Sequence, residues 1–441
     1  MKLIIRDATI VNEGQSFIGS VLVQDGYIAA VSRGSLGDTR ADSVVEAEGA
    51  LLLPGVIDDH VHMREPGMTR KANMESETRA AVAGGVTSVM DMPNVVPQTT
   101  TCALLDARYA LAQGRCHANY AFYLGATNDN IEEVKRVDVT RVPGIKVFMG
   151  SSTGNMLVDR VARLEQLFAQ SPTLLMTHCE DTRRINENMT RLRALYGDDP
   201  AVTHHPEVRD REACLQSTRL AVQLAEQTGA RLHVAHLSTA DELDLFQPRH
   251  PRITAEACVA HLLYCDADYA RLGARIKCNP AIKTAHDRAA LRAALTDGRI
   301  RVVGTDHAPH LLSEKEGGCL KAVSGMPMVQ FSLPSMLQLA HEGVLDVAQV
   351  VELMCHAPAT LFGVVGRGFI REGYHADLTL VREDHPWTVT PDCIQSLCGW
   401  SPREGDTLRW RVTHTWVNGQ LAWDGSQVLP AAGEALRFAV N

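Results

Sequence analysis

Two histidines one residue apart, His60 and His62, are where this chain first offers chemistry. On an extended strand, residues i and i+2 point to the same side, so both imidazoles reach a single ion. Neutral imidazole nitrogens suit zinc, and carboxylate oxygens complete such a shell. His178, His236 and Asp306 offer donors of the same kinds further along. An H-x-H pair alone is a weak signal, because a lone buried histidine is more often a hydrogen-bonded core residue. Together the groups would bind a metal that activates water for hydrolysis. Asp306 is the carboxylate suited to take the proton and return it to a leaving group. Lys146 is the odd member, since an ammonium repels a cation; its plain reading is a buried lysine paired with a carboxylate.

These groups act together only if the fold delivers them to one place. From residue 53 to about 362, β-branched apolar runs alternate with longer amphipathic stretches, the pattern of βα units on a parallel sheet. Eight strands are expected, at 53–58, 86–91, 118–123, 145–149, 173–177, 231–235, 252–255 and 301–304. Helices are expected between most of them, at 75–83, 215–227 and 287–295 among others. The fold expected is α/β, a (β/α)8 TIM barrel over residues 54–365. Catalytic groups in such a barrel sit at the C-terminal ends of its strands. Five of the expected strands carry the His60–His62 pair, Lys146, His178, His236 and Asp306 to that end. A set of unrelated core histidines would not share that location.

Residues 1–53 and 366–441 read as short strands joined by turns, with Asp25-Gly26 and Asn418-Gly419 as hairpin signals. The two ends are expected to pair as one small β-sandwich domain. Segments 183–215 and 311–327 read as long loops or loop-borne helices. The second, with Gly317, Gly318 and Gly325, is either a mobile lid over the site or a solvated surface loop. Asp58 and Asp59 either orient a ligand histidine or serve the turn.

A net charge of −9 leaves no basic excess for a nucleic-acid partner. No apolar run is long enough for a membrane helix, and residues 1–7 do not read as a signal peptide. The 11 cysteines include no C-x-x-C pair, which suits reduced thiols and a cytoplasmic location.

Six segments carry a resemblance. D-H-V-H-M-R-E-P-G (59–67), G-G-V-T-S-V-M-D-M-P-N (84–94), I-K-V-F-M (145–149), H-C-E-D (178–181), A-H-L-S (235–238) and G-T-D-H-A-P-H (304–310) resemble the cyclic amidohydrolases. That superfamily includes dihydroorotases, hydantoinases (dihydropyrimidinases) and allantoinases. The resemblance implies two zinc ions per subunit. One would be held by His60, His62 and Asp306 and the other by His178 and His236, with a carbamate on Lys146 bridging them. It also implies a homo-oligomer, dimer or tetramer, acting on a small molecule.

Among the branches, D-M-P-N (91–94) with H-C-E-D looks most like dihydroorotases, which interconvert dihydroorotate and N-carbamoyl-aspartate in pyrimidine biosynthesis. In that branch the positions matching Arg64, Asn94 and His310 bind the substrate carboxylate, and the position of Asn279 contacts the ring. The bland reading of Arg64 is a salt bridge at the barrel mouth. Allantoinases usually insert a residue between the proline and the asparagine, and hydantoinases usually lack the arginine. N-P-A-I-K (279–283) departs from the N-P-P-L-R usual in dihydroorotases. A non-catalytic relative that keeps only the fold is the alternative of another class; such relatives lose metal ligands, and here all six are present.

Overall fold

The computed structural model describes the chain except residues 38, 151–155, 431–432 and 441, and the side chains of 384 and 385. Strands β1 (Lys2–Asn12), β2 (Gln15–Gln24), β3 (Tyr27–Arg33), β4 (Ser43–Glu46) and β5 (Leu51–Pro54) open the chain. Nine strands follow: β6 (Val56–Val61), β7 (Val86–Asp91), β8 (Asn119–Phe122), β9 (Leu124–Gly125), β10 (Ile145–Phe148), β11 (Leu175–His178), β12 (Leu232–Val234), β13 (Ile253–Cys258) and β14 (Ile300–Gly304). Strands β15 (Leu378–Thr388), β16 (Thr407–Val417) and β17 (Gln420–Trp423) return at the far end.

Strands from the two chain ends meet in one sheet. Antiparallel pairing of β15 with β5 joins them, Leu378 opposite Pro54 and Val381 opposite Leu51. Residues of β1, β2, β3, β5, β15 and β16 share one apolar core. Because β5 bridges β1 and β15, all eight strands belong to one sheet, in the order β17-β16-β15-β5-β1-β2-β3 with β4 beside β1.

The middle of the chain forms two parallel sheets, β6-β7-β8 and β14-β13-β12-β11-β10-β9. Nearly every residue of these strands is buried, as expected for parallel strands covered on both faces. Strands β8 and β9 are separated only by Tyr123. At the other edge, Val61 at the end of β6 forms a parallel bridge with His307 beyond β14. No continuous ladder joins β6 to β14 among the described residues.

The expected strand 53–58 is in fact two strands with different partners, broken at Gly55. A Cβ there would lie 2.1 Å from Thr87 Oγ1, so only glycine lets the chain pass from the end sheet into β6. The helices Met74–Ala83, Arg211–Thr228 and Ala285–Asp297 cover the three expected stretches. The last two begin earlier than periodicity suggests, because Asp210 and Thr284 cap their first-turn N–H groups. No helix among the described residues is long and apolar enough to cross a membrane.

A buried polar knot locks the end sheet onto β8. Asn119 Nδ2 donates to Asp377 Oδ2 at 3.0 Å, and Asn418 N donates to Asp377 Oδ1 at 2.8 Å. Arg367 pairs with Asp377 and donates to Asn418 Oδ1 at 2.7 Å. Arg367 and Asp377 are both buried, so removing one leaves the other charge uncompensated. Arg367→Ala is expected to cost about 3–5 kcal/mol, read as a lowered urea midpoint. A loss under about 0.5 kcal/mol would show that the knot does not hold the domains together.

Candidate metal centre

The C-terminal ends of the parallel strands bring the six expected ligands into one cavity of about 520 Å³. His60 Nε2 lies 3.3 Å and His62 Nε2 2.9 Å from Asp306 Oδ1, one set of converging donors. His178 Nδ1 and His236 Nε2 face each other at 3.0 Å, a second set. The sets are contiguous, since the His60 and His236 rings are 5.3 Å apart.

What each imidazole offers is decided by what its other nitrogen touches. His60 Nδ1 lies 3.1 Å from Glu256 Oε1, and His62 Nδ1 lies 2.8 Å from Asn94 Oδ1. Both contacts are to acceptors, so Nδ1 carries the proton and Nε2 keeps a lone pair toward Asp306. His178 is turned the other way: Nε2 donates to Glu180 Oε2 at 2.9 Å, leaving Nδ1 toward His236. Burial opposes ionisation of Asp306, but His60 and His62 outweigh it and hold its carboxyl below the usual range. Burial likewise pushes His62 down to about 4, so its neutral, metal-ready form prevails at neutral pH.

Lys146 on β10 is buried beside this cluster, and Nζ has no hydrogen-bond partner. No carboxylate pairs with it among the described residues, the partner its plain reading requires. Burial lowers its pKa, favouring the uncharged amine. A buried amine without a partner among imidazoles and a carboxylate fits a group modified to bear oxygens, and the donor set fits a divalent cation.

Arg64, Asn94, Asn279 and His310 line the same cavity. Arg64 Nε donates to Pro309 O at 3.0 Å, and Nη2 lies 2.9 Å from His310 Nε2. The salt bridge of its bland reading is not present among the described residues. Lys71 Nζ approaches His310 Nδ1 at 3.0 Å. Burial, then Arg64 and Lys71, push His310 far below its ordinary pKa, so the ring is neutral. Asn94 serves two sides, its Oδ1 holding His62 while the residue also lines the cavity. Asn279 Oδ1 lies 3.1 Å from His205 Nε2. Arg64, His236 and Asp306 all take positive φ (63°, 40° and 48°), strained backbone that clusters where side chains must be aimed.

Several residues here escaped the sequence reading. Glu256 touches both metal sets, through His60 and through the His236 N–H at 3.1 Å. The expected strand stopped at 255, one residue short of it, yet an acid inside an apolar β-branched run is itself a signal. Arg209 pairs with Glu180 behind His178. Segment 319–325 lines the cavity and is pinned by two buried ammonium groups. Lys315 Nζ donates to Val323 O at 2.6 Å and Gly325 O at 2.7 Å, and Lys277 Nζ to Cys319 O at 2.8 Å. Asp58 accepts from Thr305 Oγ1 at 2.6 Å and from the His60 N–H at 3.1 Å, so it braces the seam between β6 and β14.

Known proteins match this arrangement over nearly its whole length. The model of the Amidohydrolase family matches residues 51–422. A dihydroorotase of Methanosarcina acetivorans is 31% identical over 433 residues, covering 94% of this chain and 91% of its own. An allantoinase of Rubrobacter xylanophilus is 32% identical over 447 residues, covering 99% and 97%. The solved L-hydantoinase (dihydropyrimidinase) of Arthrobacter aurescens superposes with a TM-score of 0.91 at 26% identity, covering 97% of each chain. With the metal-capable strand ends lying inside the matched span, the chain belongs to the amidohydrolase family.

Proposed function

We propose that this chain is a zinc-dependent dihydroorotase, interconverting dihydroorotate and N-carbamoyl-aspartate at a two-metal site in a closed (β/α)8 barrel. Closure is supported at both seams. Tyr123 alone separates β8 from β9, so the two parallel sheets share one strand path. The Val61–His307 bridge brings the first strand to the turn after the last.

His60, His62 and Asp306 would hold one cation, and His178 and His236 the other, with a carbamate on Lys146 between them. Bound there, divalent cations polarise an amide carbonyl and bring the pKa of water toward neutrality. The chain's own residues do the rest. Asp306, ionised and 2.9 Å from His62, is placed to take a proton from the attacking water and deliver it to the departing ring nitrogen. Glu256, Asn94 and Glu180 keep the imidazole tautomers fixed throughout. Segment 319–325, held by Lys277 and Lys315, walls the cavity on the side away from the strand ends.

The choice of substrate rests on one observation above others. Arg64 is a buried guanidinium at the cavity wall with no carboxylate partner among the described residues. Leaving such a charge unpaired is costly, and a substrate carboxylate would complete a bidentate pair. Dihydroorotate brings that carboxylate; allantoin and dihydrouracil have none at the equivalent place. The departure at 281–283 falls outside the cavity lining, with Lys283 Nζ turned to Ala281 O at 3.0 Å. It therefore does not count against this substrate.

Two measurements check the reading. Assayed side by side, dihydroorotate is expected to exceed allantoin and dihydrouracil in kcat/KM by at least about 100-fold. Turnover of either neutral substrate without dihydroorotate would overturn the assignment. Arg64→Ala is expected to cost dihydroorotate about 2–5 kcal/mol in kcat/KM, read mainly in KM, with metal content unchanged. Loss of the metals instead would show that Arg64 is structural.

A further inference from the structure

Behind the strand-end cluster, between the two parallel sheets, lies a second group of donors, of which the hydrolytic reading uses only Glu256 and that through His60 and His236. Asp59 on β6, His233 on β12 and Glu256 on β13 are fully buried, and one donor atom from each lies within 4.8 Å of the others. Among the described residues, neither oxygen of Asp59 has a hydrogen-bond partner, and neither does His233 Nε2.

The tautomer of His233 follows from its neighbour. Thr254 Oγ1 donates its only proton to Leu232 O at 3.1 Å. It can therefore only accept from His233 Nδ1, 2.8 Å away. A neutral His233 then turns the Nε2 lone pair toward Asp59 Oδ2 at 3.4 Å, acceptor facing acceptor. Two buried acceptors so placed need something between them, either a proton, on the imidazole or on the carboxyl, or a metal ion.

Distance separates the two. Charge-assisted N–H···O bonds run about 2.7–2.9 Å, and the buried pair His307–Glu77 in this protein lies at 2.7 Å. Two donors each about 2.1 Å from a tetrahedral ion lie about 3.4 Å apart. The observed spacing is the second of these.

We propose that Asp59, His233 and Glu256 bind a further divalent cation of the zinc class, distinct from those of the strand-end cluster. Both Asp59 oxygens, His233 Nε2 and Glu256 Oε2 supply four donors. Glu256 Oε1 accepts from the His236 N–H at 3.1 Å and the Cys258 thiol at 2.8 Å, and His60 Nδ1 lies 3.1 Å from Oε1 and 3.2 Å from Oε2, leaving the second lone pair of Oε2 for the ion. The site is closed: Tyr123 OH donates to Asp59 O at 3.0 Å, and Phe362 packs edge-on against the His233 ring. A closed shell leaves no position for substrate, so its role is structural. It ties β6, in one parallel sheet, to β12 and β13 in the other, where no backbone ladder joins them.

The test is diffraction from protein expressed with zinc, recorded on both sides of the zinc absorption edge. An anomalous peak within about 2.3 Å of Asp59, His233 Nε2 and Glu256 is expected, whatever the occupancy beside His60, His62 and Asp306. His233→Leu is expected to lose that peak alone and to lower the metal-to-chain ratio by one. No peak in the wild-type protein, with His233 and Asp59 at hydrogen-bond distance, would overturn the proposal in favour of a simple ion pair. A peak here without any at the strand-end cluster would uphold it while sinking the two-metal hydrolase.

Discussion

The seam between β6 and the turn after β14 is the contact on which the site depends. His62 N donates to His307 O at 2.7 Å, and Asp58 binds Thr305 through both its backbone and its hydroxyl. This contact sets His60 and His62, near the start of the parallel array, against Asp306, more than two hundred residues later. Burial pushes Asp58 up to about 7, so the brace is held in a nearly dry environment where its hydrogen bonds count for most. Were the seam to open by one strand spacing, the three donors around Asp306 Oδ1 would no longer share a point.

The electrostatics follow from that convergence. Burial lowers His62, His178 and His236, which favours their neutral, cation-binding form, and the acceptors behind His60, His62 and His178 fix which nitrogen faces the cluster. Another part of the cavity wall is cationic: Arg64 and Lys277 line it, with Lys71 on His310 and Lys315 on the carbonyls of Val323 and Gly325. Burial lowers Lys277 to about 8 and Lys315 to about 7. Both nevertheless find several backbone carbonyls, which is how an ammonium is accommodated without a carboxylate. An anionic group fits that wall, and a carbonyl fits the strand-end wall. The separation of the two is what orients a substrate carrying both.

Much of this was legible in the sequence, because strand alternation and residue type are local properties. His60, His62, His178, His236 and Asp306 announce themselves at the ends of apolar runs, and the helices at 75–83, 215–227 and 287–295 by their period. What was not legible depends on contacts between distant segments. Gly55 divides one apolar run between two sheets because Thr87 crowds it, which no local pattern shows. The end strands form one sheet through the β5–β15 pairing, which periodicity alone does not specify. Glu256 looks like an intrusion in a core strand until His60 and His236 are seen around it. Asn94 was read as a substrate contact, and its hold on His62 emerges only in three dimensions.

The central claim is that the strand-end cluster performs hydrolysis with bound cations bridged through Lys146. It is tested most directly by stripping the protein with a chelator and titrating zinc back, with and without bicarbonate, while following dihydroorotate hydrolysis. Activity should be lost on stripping and return as zinc refills the strand-end site, fully only when bicarbonate is present to rebuild the carbamate. Full turnover by the stripped protein, or recovery indifferent to bicarbonate, would contradict it.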